Sequence, residues 1–369
     1  DQTKNPASFI QEKLRSTSYN GNANVSWTLF NGFAIRANKK KLDNLEKISD
    51  NNASLTIENT IQGIILQYYN CVLQKDRLEL LQKVVNLSKN RLEYEKTKYE
   101  IGVTNKIDLL QIENAMLTDS SNIILQELNF KNAVKNLNLT IGRDINSTWE
   151  FIDKIDTTIQ IFNYEELARN TLSDNTNIKN QYYNIQLSKQ DIKLTLAPFY
   201  PIISINSGAS FNESTYDIGD LSSTIDNTGE NINYFANFSI NFRIFDGGKL
   251  YRNLRSVKIQ KQIFELELEK IKKEVLYQLS VNNDKYNSRI NAYSLNQKAF
   301  KIAEENFKLA TEKKNRGVIN SFMLRDIEIA YITSGINAQQ SAYNLMESKL
   351  SLLKISGNIT RDFNMLKND

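Results

Sequence analysis

The pattern of apolar and polar positions changes twice along the chain, from a period of two to a helical period. Two runs alternate apolar with polar side chains: Val25, Trp27 and Leu29 before Gly32, and Phe238, Ile240, Phe242 and Ile244 before Gly247. This alternation is typical of strands with one apolar face. Helix-forming residues then follow without a breaker from about 33 to 98 and from about 248 to 313. At 1.5 Å per residue, each predicted helix is on the order of 100 Å long.

The two patterned segments belong to an internal repeat. Residues 25–32 match residues 240–247, residues 102–105 match residues 317–320, and Gly142 matches Gly357. All three pairs are 215 positions apart. Because three landmarks keep one spacing, we interpret the chain as two copies of a unit that joins a strand to a long helix.

A helical hairpin is predicted at the end of each long helix. Gly102 and Gly317 can take the left-handed conformation that ends a helix, and Asn105 and Asn320 can cap the next helix. A helix this long needs another helix as its partner, and heptad stripes support such packing. One stripe holds Phe300, Ala303, Phe307, Ala310 and Lys314, and its counterpart 215 residues earlier holds Val85, Ser88, Leu92, Glu95 and Tyr99.

Four segments are predicted: repeat 1 at 1–142, a linker at 143–162, repeat 2 at 163–357 and a C-terminal tail at 358–369. Repeat 1 has one strand, at about 23–30, and its return helix at about 106–141. The elements of repeat 2 are a helix at about 164–197, strands at about 202–212 and 235–245, and a return helix at about 320–356. The strand at about 202–212 carries Ile203 and Ile205 on one face. The Ser-, Thr-, Asp- and Asn-rich segment 213–233 predicts a long polar loop between these strands.

Repeat 1 lacks a counterpart for the strand that begins at Ile202. The equivalent position would lie upstream of Asp1, so we expect the first strand of repeat 1 and the helix before it to be missing from this chain. Three strands are therefore predicted.

Composition excludes most enzyme classes. The 369 residues contain no His and one Cys, Cys71, so no triad with histidine, no HExxH zinc site and no CxxC pair can form. Only paired carboxylates would remain for catalysis, and we predict neither an enzyme nor a cofactor or metal site. The net charge of +4, with acids and bases interleaved, argues against a nucleic-acid partner. The sequence contains no run of 18 or more apolar residues, so no transmembrane helix is predicted.

The chain resembles the TolC-like outer-membrane efflux proteins of Gram-negative bacteria over nearly its whole length. The residues that carry the resemblance are Leu-Phe-Asn-Gly at 29–32, Ile-Phe-Asp-Gly-Gly at 244–248, Gly-Val-Thr-Asn-Lys-Ile-Asp at 102–108 and the helix end at Gly142. The resemblance implies long periplasmic helical hairpins, with 143–162 as an equatorial linker, fused to strands of a β-barrel. It also implies a homotrimer in which each protomer gives four strands to one barrel.

As a member of this family, the protein would be a passive channel in the outer membrane, with a large periplasmic part and a gated periplasmic entrance. A periplasmic adaptor (membrane fusion protein) and an inner-membrane pump of the RND or ABC type would be its partners, for efflux or type I secretion. The apolar strand residues named above would then face outer-membrane lipid. The alternatives are a soluble sheet packed under the helices and, for function, a periplasmic coiled-coil adaptor or structural filament.

The hairpin tips are the predicted sites of adaptor docking. They comprise Gly102, Val103, Thr104 and Asn105 in the first repeat and Gly317, Val318, Ile319 and Asn320 in the second. The alternative is that these residues serve only the turns and caps, although the apolar Val103 and Ile319 are poorly explained in that way.

Two carboxylates follow the tips, Asp108 in the first repeat and Asp326 in the second. Near a helix N-terminus a carboxylate can simply be stabilised by the helix dipole. The resemblance instead assigns both residues to the periplasmic gate. The family's tyrosine and arginine partners are replaced here by Lys314 and Ile319, so we predict that Lys314 pairs with Asp108 across the closed entrance.

Overall fold

The computed structural model describes residues 13–220 and 223–357, with side chains described for 16–215 and 228–357. The elements in chain order are β1 (Lys13–Asn31), α1 (Ala34–Glu100), α2 (Lys106–Thr140), α3 (Tyr164–Asp174), α4 (Thr176–Leu196), a 3-10 turn (Ala197–Phe199), β2 (Ile202–Asp220), β3 (Ser223–Asn241), α5 (Lys249–Asn315) and α6 (Ser321–Ile355). The predicted class, mainly helical with a small sheet, is confirmed. The predicted tail at 358–369 lies outside the described residues.

Two compact units divide the chain. We call Asp1–Lys47 with Tyr183–Glu265 the sheet unit, and Ile48–Tyr182 with Leu266–Asp369 the helical unit. The three boundaries along the chain fall inside the helices α1, α4 and α5 rather than in loops.

The sheet unit holds three antiparallel strands in the order β1-β2-β3. Trp27 pairs with Ile205, and Ile205 with Phe238, so these three side chains share one face. A bulge follows in β1, where Ile203 pairs with Phe30. Phe30 therefore takes the position next to Ile203 that simple alternation assigns to Leu29, since two residues of the bulged strand oppose one of its partner.

The strands differ in length from the sequence prediction. β2 and β3 pair as far as Asp220 and Ser223, so most of the segment 213–233 is strand and the predicted long loop is wrong. The hydrogen bonds between paired strands join backbone N–H and C=O groups. Polar residues carry these groups as apolar residues do, so a polar segment can form a strand. At its other end β3 stops at Asn241, opposite Ile202. Phe242 and Ile244 therefore follow the strand, because β2 begins after Pro201 and offers no residue to pair with them.

Both strand-to-helix turns use left-handed backbone. Gly32 and Gly247 have φ of 64° and 68°, and the next residues, Phe33 and Gly248, have φ of 67° and 76°. A Cβ at Gly32 would also strike the backbone carbonyl of Ala197, so only glycine fits there. The repeat thus needs two consecutive left-handed residues and fills the second position with glycine in one copy and phenylalanine in the other.

In the helical unit, two apolar clusters hold the helices together. One joins α1 and α2 to the segment between α2 and α3 through Cys71, Leu137 and Phe151. The other joins α3, α5 and α6 through Leu167, Leu279, Tyr286, Leu345 and Leu352. The predicted linker contains no helix or strand among its described residues, yet Phe151 anchors it in the first cluster.

The helix predicted at 164–197 is interrupted. α3 ends at Asp174, Asn175 is extended with φ −60° and ψ 122°, and α4 begins at Thr176. The Asn175 side chain accepts hydrogen bonds from the backbone N–H groups of Asn177 and Ile178, which caps α4. The cap explains the break that hydrophobic periodicity does not reveal.

Within the described residues, no helix is both long and apolar enough to cross a membrane.

Candidate functional site

The two hairpin tips have the same backbone geometry. In the first, the Gly102 N–H donates to the Tyr99 carbonyl (3.0 Å) and the Val103 N–H to the Lys98 carbonyl (2.8 Å). In the second, Gly317 and Val318 repeat this pattern at 2.9 Å each, onto Lys314 and Lys313 respectively. Both are Schellman endings, with the glycine φ at 76° and 74°. The turns predicted from the glycine positions are therefore confirmed.

Asparagine caps the helix that follows each tip. Asn105 Oδ1 accepts from the Asp108 N–H at 2.9 Å, and Asn320 Oδ1 accepts from the Met323 N–H at 2.9 Å. The Asp108 carboxylate also accepts from Asn105 Nδ2 (3.1 Å) and Thr104 Oγ1 (3.4 Å). Within the protomer, Asp108 thus completes the cap of α2.

Apolar side chains at the tips are largely exposed in the protomer. Val103 is 65 % exposed and Val318 67 %, while Ile319 is half-buried. Capping requires no apolar side chain at these positions. The tips therefore leave apolar surface without a contact that the turn geometry explains.

At the base of the second tip, Lys314 contacts the first long helix. Its Nζ lies 3.2 Å from Glu95 Oε1, and Ser321 Oγ donates to the same oxygen at 2.8 Å. Burial by itself would raise the pKa of Glu95, but these two hydrogen bonds and the Lys314 charge outweigh it and lower the pKa. In the protomer, the partner of Lys314 is thus Glu95 and not Asp108.

A second polar cluster lies further along the same helices. Arg91 of α1 contacts Glu328 of α6 through two nitrogens, at 2.9 and 3.2 Å. Arg325 of α6 binds both oxygens of Asp119 in α2 at 2.7 Å and also reaches Glu328 at 3.0 Å. Ser88 Oγ donates to Asp119 at 2.6 Å. We call Ser88, Arg91, Asp119, Arg325 and Glu328 the buried charge network.

Charge balance explains how this network is tolerated. The Glu328 side chain is fully buried, and the two guanidinium groups beside it supply the opposite charge. Burial would lower the pKa of Arg325, but the hydrogen bonds that its guanidinium donates to Asp119 and Glu328, together with their negative charges, raise it. A buried ion pair of this kind fixes geometry more than it adds stability, because desolvation offsets much of the Coulomb attraction.

The remaining predicted gate residue, Asp326, is exposed on α6 next to Arg325. Neither gate aspartate contacts Lys314 within the protomer. The heptad stripes included Ser88 and Glu95 but missed Arg91, Asp119, Arg325 and Glu328. A signal for the Glu95 contact was present, because a charged residue there corresponds to Ala310 in the second copy of the repeat.

The apolar strand face is exposed in the protomer. Trp27 and Phe238 are 67 % and 63 % exposed, and Ile205, between them in the sheet, is 37 % exposed. Exposed contiguous apolar surface of this kind marks a site that meets lipid or protein. The other residues predicted to face lipid are exposed as well, except the half-buried Ile203: Val25, Leu29, Ile240, Phe242 and Ile244.

Among the side chains that the structure describes, no group of three or more His, Cys, Asp or Glu residues could hold a metal ion. In the two polar clusters, each carboxylate is paired with a lysine or arginine at 2.7–3.2 Å. These ion pairs join residues of α1, α2, α5 and α6.

Comparison with known proteins gives the same fold. The structure matches the outer membrane channel CmeC of Campylobacter jejuni with a TM-score of 0.73 and 15% identity, over 96% of this chain and 80% of that one. It matches the open-state MtrE outer membrane channel of Neisseria gonorrhoeae with a TM-score of 0.70 and 16% identity, over 94% and 81%.

A sequence relative is the toxin and drug export protein A of Aggregatibacter actinomycetemcomitans, 22% identical over 219 residues. That match covers 56% of this chain and spans 45% of the relative's length. The family model described as outer membrane efflux protein matches residues 4–143 and 167–358. Since these two ranges cover both copies of the repeat, the chain belongs to the outer membrane efflux protein family.

Proposed function

We propose that three copies of this chain form a passive channel through the outer membrane of a Gram-negative bacterium. The observation that carries the proposal is the exposed apolar row of Trp27, Ile205 and Phe238 on a sheet whose strands β1 and β3 lead into 67-residue helices. A protomer with such a face needs lipid around it, and closure of several protomers would satisfy the strand edges. Family membership argues against the periplasmic adaptor and filament alternatives.

Conductance tests this proposal. The purified chain, reconstituted into planar bilayers, is expected to give discrete conductance steps and to migrate as a trimer in SDS without heating. As a matched pair, Trp27→Asp replaces an apolar side chain of the exposed row, and Ser26→Asp adds the same charge on the opposite strand face. We expect Trp27→Asp to abolish insertion and Ser26→Asp to preserve it. Equal insertion by both variants would contradict a lipid-facing row.

The tips are proposed to dock the hairpin of a periplasmic adaptor, which in turn would join an inner-membrane pump of the RND or ABC type. The exposed Val103 and Val318 support this, since an apolar contact would cover them. Val103→Asp with Val318→Asp should abolish co-purification of the adaptor while conductance persists. Leu117→Asp, an exposed position on α2 away from the tips, is the control.

The gate is proposed to involve Asp108, Lys314 and Asp326. A pair between Lys314 and Asp108 of different protomers would have to compete with the Glu95 contact inside each protomer. Conductance separates the two cases. If the pair between protomers holds the entrance, Lys314→Ala and Asp108→Asn both raise conductance, whereas Glu95→Gln does not. A rise with Glu95→Gln and none with Asp108→Asn assigns closure to the contact within the protomer, and no rise with Lys314→Ala counts against any role of that lysine.

A further inference from the structure

The sheet unit contains a cavity of about 340 Å³ where β1 turns into α1, which the proposed channel function does not use. Its wall is made by the turn at Gly32 and Phe33, the first turns of α1, and the end of α4 with Tyr200. This volume falls within the range of about 300–1,000 Å³ typical of small-molecule sites.

Three cations line the cavity. Arg36 and Lys40 are one helical turn apart on α1, and Lys193 faces the same space from α4. None of the three forms an ion pair with another described side chain, although the neighbouring Lys41 pairs with Asp191 at 2.6 Å. Three unpaired cations around one cavity favour an anion.

A buried acceptor completes the lining. Gln190 is 7 % exposed, and its Oε1 has no hydrogen-bond partner in the described part of the chain. A buried carbonyl oxygen that accepts no hydrogen bond is unfavourable in free energy. A ligand with an N–H or O–H donor would therefore be stabilised there. The ligand that fits carries both a negative group and a donor.

Aromatic side chains give the cavity an apolar rim. The ring of Phe33 lies 5.1 Å from that of Phe30 and 5.9 Å from that of Tyr200, centre to centre. Phe33 holds this place despite a φ of 67°, a conformation that a bulky side chain rarely adopts. In the second copy of the repeat, Gly248 stands at this position. Strained residues kept against their preference occur mostly at functional sites.

We infer that this cavity binds the headgroup of a phospholipid, with the phosphate on the three cations and a donor group, such as the ammonium of phosphatidylethanolamine, on Gln190 Oε1. The inference rests on the proposed function, because it takes the strands as membrane-embedded. The apolar residues of β1 precede the aromatic rim directly, and aromatic rings are enriched at the level of lipid headgroups. A lipid is favoured over free phosphate because free phosphate would leave the rim without an apolar contact.

Lipid retention tests the site. The purified chain is equilibrated in mixed micelles with equal parts phosphatidylethanolamine and phosphatidylcholine, and bound lipid is identified by native mass spectrometry. Phosphatidylcholine has the phosphate but no N–H donor. We expect phosphatidylethanolamine to be enriched on the order of tenfold, as one hydrogen bond to a charged group would give. The Gln190→Leu variant should lose this preference while still retaining lipid.

A charge-matched pair of variants separates the site from general attraction. Arg36→Gln, Lys40→Gln and Lys193→Gln together should lower total lipid retention at least tenfold. The control combines Arg252→Gln, Arg255→Gln and Lys258→Gln, three exposed cations on α5 whose removal costs the same charge. Equal retention by the two triple variants, or no preference between the lipids, would overturn the inference. Displacement of lipid by an equal concentration of inorganic phosphate would identify a phosphate site instead.

The readout also distinguishes this inference from the channel itself. Retention in micelles does not require a conducting pore. Normal conductance without lipid retention would count against the headgroup site alone. Lipid retention by a protein that never conducts would count against the channel proposal alone.

Discussion

The helices α1 and α5 are copies of one element, 67 residues each, and they differ in the polar residues that they place against other helices. On α1 the buried face carries Ser88, Arg91 and Glu95, and the equivalent residues of α5 are Ala303, Asn306 and Ala310. Arg91 and Glu95 contact α6 directly, and Ser88 contacts it through Asp119. The two copies of the repeat thus share their backbone and their glycine turns. The polar contacts that join the two copies, in contrast, use residues of α1 that have no polar or charged equivalent of the same kind in α5.

The strand-to-helix turns differ in the same way. Gly32 is pressed against Ala197 and is followed by Phe33, whereas Gly247 has no atom within 4 Å of a built Cβ and is followed by Gly248. One backbone conformation therefore serves a crowded turn with a cavity in the first repeat and an open turn in the second. Four pairs of substitutions test these differences.

The largest effect is expected at Glu328. Glu328→Gln removes the charge that Arg91 and Arg325 share in a fully buried position, and it should lower the free energy of unfolding by about 3 kcal/mol. The equivalent residue of the first repeat, Glu113, is half-buried, and Glu113→Gln should cost less than about 0.5 kcal/mol. Urea unfolding followed by helical circular dichroism measures both. Similar losses in the two variants would remove the asymmetry argued above.

The two turns should respond unequally to a methyl group. Gly32→Ala and Gly247→Ala each force alanine into left-handed backbone, at about 1–2 kcal/mol. Only Gly32→Ala adds a clash with the Ala197 carbonyl, which should bring its total cost to about 3 kcal/mol. The difference in unfolding midpoint between these variants is the measurement. A smaller effect at Gly32 than at Gly247 would mean that the close approach of Ala197 has been misjudged.

At Phe33 we expect the glycine variant to be more stable than the alanine variant, which is the reverse of the usual order in a helix or strand. Phe33→Gly loses the ring contacts but relieves the positive φ, whereas Phe33→Ala loses the contacts and keeps the strain. We expect glycine to be more stable than alanine here by about 1 kcal/mol. Thermal unfolding of the two variants checks this. The usual order, with alanine the more stable, would show that the turn relaxes when the ring is absent.

The smallest effect is a pH dependence at Glu95. Its contacts lower the folded-state pKa below the usual value of 4.5, so the unfolded chain takes up the proton first as pH falls. The stabilisation is complete above the unfolded pKa and is lost as pH falls through the folded pKa. A plot of unfolding midpoint against pH below about 5 should therefore be flatter for Glu95→Gln than for the parent. Glu93→Gln, at an exposed neighbour, serves as control and should follow the parent curve.

The sequence was informative at the repeat and at the hairpin tips, where a local rule sets the structure. The spacing of 215 residues, the glycine endings at Gly102 and Gly317 and the caps at Asn105 and Asn320 all follow from conformational preferences of single residues. Long helices need only an unbroken run of helix formers. These features are visible without knowledge of what packs against them.

Strand limits were less accessible to the sequence. The segment 213–233 was predicted as a loop because it is polar, but its residues continue a backbone ladder that depends on the partner strand. The register around the bulge likewise comes from pairing, since Phe30 replaces Leu29 opposite Ile203 only when β2 is in place.

The sequence by itself determined the duplicated plan, the helix ends at the two hairpin tips and the alternating strand faces, because each depends on a residue pattern that can be read along the chain. Only the tertiary structure decided that Lys314 pairs with Glu95, that Arg325 joins α2 to α6, and that Gln190 lines a cavity with three cations. Each of these arrangements includes residues from elements that are far apart in the sequence. Electrostatic attraction depends on the distance between the groups in space, which the order of residues does not give.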